Sequence, residues 1–218
     1  MKILALETAN EQCSVAIVDA QQLLYFQSND EPRKQTQLIL PMIEQGLKET
    51  QTTWQQISAI AFSRGPGAFS GVRINAAVTQ ALAWANDIPV VPVSTLQALA
   101  QHACREAGLT QVAAVIDARM NEVYFAQFEC DTQGIMQLCG EEQLLSYFEA
   151  KQQQTYPAVG SGAHLLGHEN DTKLNYTHAQ DIAEIARFAL QHGQAVSAEY
   201  ALPVYLRDNA WKKIAEQG

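Results

Sequence analysis

Short apolar runs separated by polar turns organise this chain. Residues 3–6 form the first run, and its length fits a buried strand rather than a helix. Polar residues 8–12 turn the chain, Cys13–Val18 gives a second strand, and 23–27 a third, so the start reads as a three-stranded meander. Residues 34–49 carry Leu38, Met42, Ile43 and Leu47 near one helical face, with Pro41 implying a kink or a late helix start. Ile57–Ser63 is another strand, residues 72–86 have helical composition, and 89–93 are a strand. Thr95–Ala107 reads as a helix capped by Ser94 or Thr95 and stopped by Gly108.

A second pass follows. Strands are expected at 113–116, 123–128 and 135–138, a helix at 141–153, a short run at Ala158–Val159, and an amphipathic helix at 179–192 ending at Gly193. The two passes superpose without a gap near their starts. Leu6-Glu7, five residues, then Cys13 match Ile116-Asp117, five residues, then Val123. This internal repetition implies an α/β fold of two similar lobes. Residues 1–108 are the expected first lobe and 109–218 a second, smaller one, whose last residues are free to pack back on the first.

Composition narrows the function. The chain has 218 residues and a formal net charge of −9, so alone it is a poor ligand for nucleic acid. Arg207, Lys212 and Lys213 form the one basic cluster, read as surface charge. The apolar start is too short for a signal peptide and no run could cross a bilayer, which points to the cytoplasm. Cys13, Cys104, Cys130 and Cys139 include no C-x-x-C pair and read as reduced, buried thiols.

The candidate chemistry is sparse. Glu7 and Asp117 end equivalent strands, where carboxylates either position a metal–phosphate group or cap turns. The turns after those strands contain no glycine and carry Glu11 and Glu122, which weakens any phosphate site. The loop Arg64-Gly65-Pro66-Gly67-Ala68-Phe69-Ser70-Gly71-Val72-Arg73 joins a strand to a helix. It is either an anion site or a tight turn for close packing, and it matches neither a Walker loop nor a full G-x-G-x-x-G. His164 and His168 are spaced for one helix face, but Gly167 and the lack of a third ligand argue against a metal. His102 reads as solvated. No G-x-S-x-G supports serine hydrolysis. The helix after the glycine loop is apolar nearly all round and must be covered on more than one side. Val72, Ile74, Ala77, Val78, Ala81 and Leu82, with Leu38 and Met42, form a candidate docking surface.

The segments at residues 3–9, 64–74, 116–124 and 203–207 together resemble the bacterial TsaB (YeaZ) family of tRNA threonylcarbamoyladenosine biosynthesis proteins, also described as glycoprotease-like. That resemblance implies two ribonuclease-H-like lobes of the actin, sugar-kinase and heat-shock ATPase fold. It implies a non-catalytic scaffold without a cofactor, working with a TsaD-type catalytic subunit and a TsaE-type ATPase on the adenosine beside the anticodon. Docking through first-lobe helices, homodimers when alone, and tRNA contact only through the complex are also implied. The rival expectation is an ATP-dependent phosphotransferase using Glu7 and Asp117. A peptidase using His164 and His168 is a third.

Overall fold

The computed structural model describes residues 1–169 and 171–207. Lys212 and Lys213 of the basic cluster lie outside them. The first sheet has the order β3-β2-β1-β4-β5, built from β1 (Lys2–Glu7), β2 (Cys13–Val18), β3 (Leu23–Asn29), β4 (Ile57–Ser63) and β5 (Val90–Val93). Its meander pairs antiparallel, while β1, β4 and β5 run parallel. The second sheet repeats the plan in shorter form, β8-β7-β6-β9, from β6 (Gln111–Arg119), β7 (Glu122–Cys130), β8 (Met136–Ser146) and β9 (Ala158–Val159). Each sheet is the core of one lobe, and the molecule is a two-lobed α/β fold built on a repeated plan.

β1 is buried on both faces, which is why it reads as an unbroken apolar run. Leu4 and Leu6 point towards α1 (Gln35–Glu49) and α2 (Phe69–Asn86), joined there by Ile60, Phe62, Ile39 and Met42. Ile3 and Ala5 point the other way, towards α5 (Ala179–Gln191). On that face, Ala16, Ala59 and Ala61 meet Ala179, Ala183 and Ala186, so small side chains let helix and sheet approach closely.

The lobes exchange helices. α5 follows the second sheet in the chain but covers the first sheet. α3 (Thr95–Ala107) follows the first sheet but covers the second, placing Leu96, Leu99 and Ala103 on Val112, Ala114 and Phe128. The division near Gly108 therefore separates sheets and not helices. α4 (Tyr147–Gln153) closes the far face of the second sheet through Ala150.

Two local expectations are corrected. The helix expected at 141–153 begins only at Tyr147, because residues 143–146 continue β8 and pair with residues 122–125 of β7. Glutamate and glutamine favour helix locally, but the hairpin overrides them. The start signal is the capping box Ser146-x-x-Glu149, in which each side chain bonds the other residue's backbone N–H. The second correction concerns the repeat. Glu7 pairs with Ser14, but Asp117 pairs with Val123, so the second hairpin is one residue tighter. Arg119, Met120 and Asn121 absorb the difference with φ of 62°, 57° and 63°, a left-handed region costly for side-chain-bearing residues.

Candidate functional site: an interlobe cleft and an apolar helical face

The structure separates Glu7 from Asp117. Glu7 is fully buried at the end of β1 and does not line the cleft. Its Oε1 accepts from the Ala9 N–H and, at 2.9 Å, from the Ser63 hydroxyl, while its Oε2 accepts from the Thr177 hydroxyl at 2.8 Å. Burial pushes its carboxyl up to about 7, against the opposing pull of those three donors. Asn75 of α2 donates to Ser63 Oγ at 2.7 Å and to the Leu6 carbonyl. Glu7 thus caps its own turn and fastens β1 to Ser63 of β4 and to the segment before α5.

Asp117 does face a cavity of about 1020 Å³ between the lobes. It caps its own turn by accepting from the Arg119 N–H at 2.8 Å, and it pairs with the Arg119 guanidinium at 2.9 Å. Backbone amides in both first turns are likewise taken by the chain's own side chains: Ala9 by Glu7, Gln12 by Asn10 Oδ1, and Arg119 by Asp117.

The glycine loop packs inward against the β1–β2 turn. A Cβ at Gly71 would stand 2.1 Å from the Thr8 carbonyl oxygen, and one at Gly67 would stand 2.4 Å from that of Ala9. The Ala68 N–H donates to the Ala9 carbonyl at 2.7 Å and the Thr8 hydroxyl to the Gly71 carbonyl at 2.8 Å. These glycines allow backbone to meet backbone, the tight-turn alternative. On the other side, the Val204 N–H donates to the Arg64 carbonyl at 2.7 Å. The Arg73 guanidinium lies between Phe69 and Tyr205, 3.3 and 4.9 Å from their ring centres. Arg207 then reaches the second lobe, pairing with Glu122 at 2.7 Å and donating to the Ala118 carbonyl.

The histidines fall elsewhere than expected. His164 sits on a single 3₁₀ turn, Ala163–Leu166, and lines the cleft. His168 follows Gly167, whose φ of 91° ends that turn, and bonds Gln154 instead. No helix face joins the two. His102 is not solvated but buried at the α3–α5 seam. Its Nδ1 lies 2.9 Å from Asp181 Oδ2 and its Nε2 2.9 Å from the Lys173 carbonyl. Asp181 and the Lys173 carbonyl accept, while Arg105 Nη2, 2.9 Å from the same Nδ1, can only donate. Burial opposes charge on the ring, but the bonds to Asp181 outweigh it and raise the imidazole above its usual range. Arg105 Nε donates to Asp181 Oδ1 at 2.7 Å, and the His178 ring stands 4.8 Å away. His102, His178 and Asp181 have the ligand types of a metal site, but both His102 nitrogens are occupied and a guanidinium shares the carboxylate. Sequence reading missed the cluster because His102 and Asp181 are 79 residues apart.

The apolar helix divides by burial. Val72 and Met42 are only 1% and 3% exposed and belong to the first lobe's own core, so they support the outer face without forming it. Leu38, Ile74, Val78 and Leu82 are half-buried. Ala77 and Ala81 are exposed, in a stripe at helical spacing with Phe69 and Trp84, which are 58% and 72% exposed. Leu40, on α1, is 52% exposed. Phe69 and Trp84 were not among the expected surface residues, although 69, 73, 77, 81 and 84 fall on one helical face, with Arg73 between Phe69 and Ala77.

Known proteins can now be set beside this geometry. The family model described as TsaD, tRNA N6-adenosine threonylcarbamoyltransferase, matches residues 30–146. The tRNA threonylcarbamoyladenosine biosynthesis protein TsaB of Escherichia coli K12 is 39% identical, over 98% of each chain. This chain belongs to the TsaB family. The Haemophilus influenzae TsaB is 35% identical, over 98% of this chain and 97% of that protein. The solved structure of YeaZ from Pseudomonas aeruginosa superposes with a TM-score of 0.85 at 39% identity, covering 94% of this chain and 99% of that one. That structure shares the architecture described above. No helix among the described residues is long and apolar enough to cross a membrane.

Proposed function

We propose that this chain is a non-catalytic scaffold in tRNA threonylcarbamoyladenosine formation, held by a TsaD-type catalytic subunit on the exposed face of α1 and α2. The outer stripe Phe69–Arg73–Ala77–Ala81–Trp84, apolar but for the half-buried Arg73 stacked on the Phe69 ring, carries the reading. A face of that composition, formed from alanines between two aromatics, is suited to close packing with a second helical pair. The match of residues 30–146 to a transferase model supports a partner built on the same plan. In the cleft, the Ala9, Gln12 and Arg119 amides are satisfied internally, Glu7 is sealed from solvent and Asp117 is held by Arg119, which disfavours phosphotransfer by this chain. The net charge of −9 favours tRNA contact through the complex and not through this chain alone. A TsaE-type ATPase completes the assembly, and the cytoplasm is its place.

Reconstitution of the modification on tRNA tests this. With the TsaD-type subunit, the TsaE-type ATPase and an activated threonylcarbamoyl donor present, adding this chain restores product, and adding Ala77→Glu does not. Steady ATP consumption by the isolated chain, abolished by Asp117→Asn, would establish the rival phosphotransferase reading.

A further inference from the structure

Cys104 and Cys130 bring their sulfurs to 3.8 Å. Cys104 lies in the last turn of α3 and Cys130 is the last residue of β7. Both are only partly buried, so a small thiol reagent can reach them. The other two cysteines differ: Cys13 is fully buried against the Met42 sulfur, and the Cys139 thiol points to the Gln137 carbonyl.

We propose that Cys104 and Cys130 are a reversible disulfide site that fastens the exchanged helix α3 to the sheet of the second lobe. Bond formation needs the sulfurs to close by about 1.8 Å, to the ~2.05 Å of a disulfide. That movement falls on the last turn of α3, which Gly108 ends in a left-handed conformation. The site goes beyond the scaffold reading and does not depend on it.

The oxidant is a small-molecule disulfide such as glutathione disulfide. One protein thiolate attacks it, forming a protein–glutathione mixed disulfide and expelling one glutathione thiolate. The second cysteine, as thiolate, attacks the protein sulfur of that mixed disulfide and expels the second glutathione. Two protein thiols are oxidised, one glutathione disulfide is reduced to two thiols, and the two protons end on the released glutathiones. Burial, reinforced by the neighbouring Cys130 thiol, pushes the Cys104 thiol up to about 11. The thiolate is the reactive form, so closure quickens as pH rises.

The test uses the full chain, incubated with glutathione disulfide at pH 8, trapped with iodoacetamide and mapped by mass spectrometry. The expected product has lost two hydrogens, has lost alkylation at residues 104 and 130 only, and returns to the dithiol with dithiothreitol. Cys104→Ser should instead accumulate a glutathione adduct at Cys130, and Cys139→Ser should behave like the parent chain. Full alkylation at both positions, or a stable mixed disulfide in the parent chain, would overturn the site. Oxidation should also slow amide hydrogen exchange in the last turn of α3, and unchanged exchange would overturn its fastening role.

Discussion

At the scale of single residues, Glu7 shows how a carboxylate at the end of a strand can be structural. Its oxygens accept from three donors with no solvent contact, and burial leaves the carboxyl titrating at about 7 instead of the ordinary 4.5. The folded value is raised, so the protonated form is favoured on folding. The stability this confers is complete below about pH 4.5 and is lost as pH rises through 7. The free-energy difference is about 3 kcal/mol. Glutamine mimics the neutral acid: its oxygen accepts from Ala9 and Ser63 as Oε1 does, and its amide can donate to the Thr177 hydroxyl. Glu7→Gln should therefore match the parent near pH 4.5 and exceed it at pH 8. At roughly 2–4 °C per kcal/mol for a chain of this size, the Tm gap at pH 8 should be several degrees. Equal Tm values for the two proteins at pH 8 would show that Glu7 ionises freely in the fold.

At the scale of elements, the exchange of α3 and α5 places a charged cluster where two apolar packings meet. Asp181 is buried and receives His102, Arg105 and the His178 backbone N–H. Burial would raise its carboxyl, but the bonds from His102 and Arg105 prevail and hold it below the usual range. Its contribution is thus present above the ordinary aspartate value and is lost as pH falls through the lowered one. Asp181→Asn leaves the Arg105 guanidinium without its counter-charge and His102 without its carboxylate partner. A loss of about 3–5 kcal/mol is expected for one partner removed from a buried pair, read as an earlier urea midpoint at neutral pH. A midpoint equal to the parent's would mean the cluster contributes no net stability. The elements themselves were unevenly legible. β1 and Ile57–Ser63 stood out because strands buried on both faces are unbroken apolar runs. Residues 141–146 did not, because their glutamates and glutamines speak for helix and only the partner strand decides otherwise. The destination of α5 was hidden too. Its amphipathic pattern shows that one face is covered but not which sheet covers it.

At the scale of the whole molecule, the duplicated plan was readable because Leu6-Glu7 and Ile116-Asp117 repeat at one spacing. The divergence of those two carboxylates was not readable, since it comes from what packs over each strand end: Ser63 and Thr177 close on Glu7, while Asp117 opens on the cleft. The same limit applied to the outer face: an all-round apolar helix announces two coverings without dividing its residues between them. Burial makes that division, assigning Val72 inward and Ala77, Ala81 and Trp84 outward. An exposed stripe with small residues at its centre can be covered by its own copy about a two-fold axis when no partner is present. The isolated chain should then be a concentration-dependent dimer in sedimentation equilibrium. Ala81→Glu sets a carboxylate in the middle of the stripe, and a symmetric pairing through that face would bury two such charges. That variant should sediment as a monomer while keeping the parent's circular dichroism and Tm to within a few degrees, because the position touches solvent in the single chain. Trp84→Ala should weaken the dimer less completely, by removing an anchor at the rim without adding repulsion. If Ala81→Glu stays dimeric at the parent's concentration dependence, self-association uses another surface and the assignment of this face loses its support.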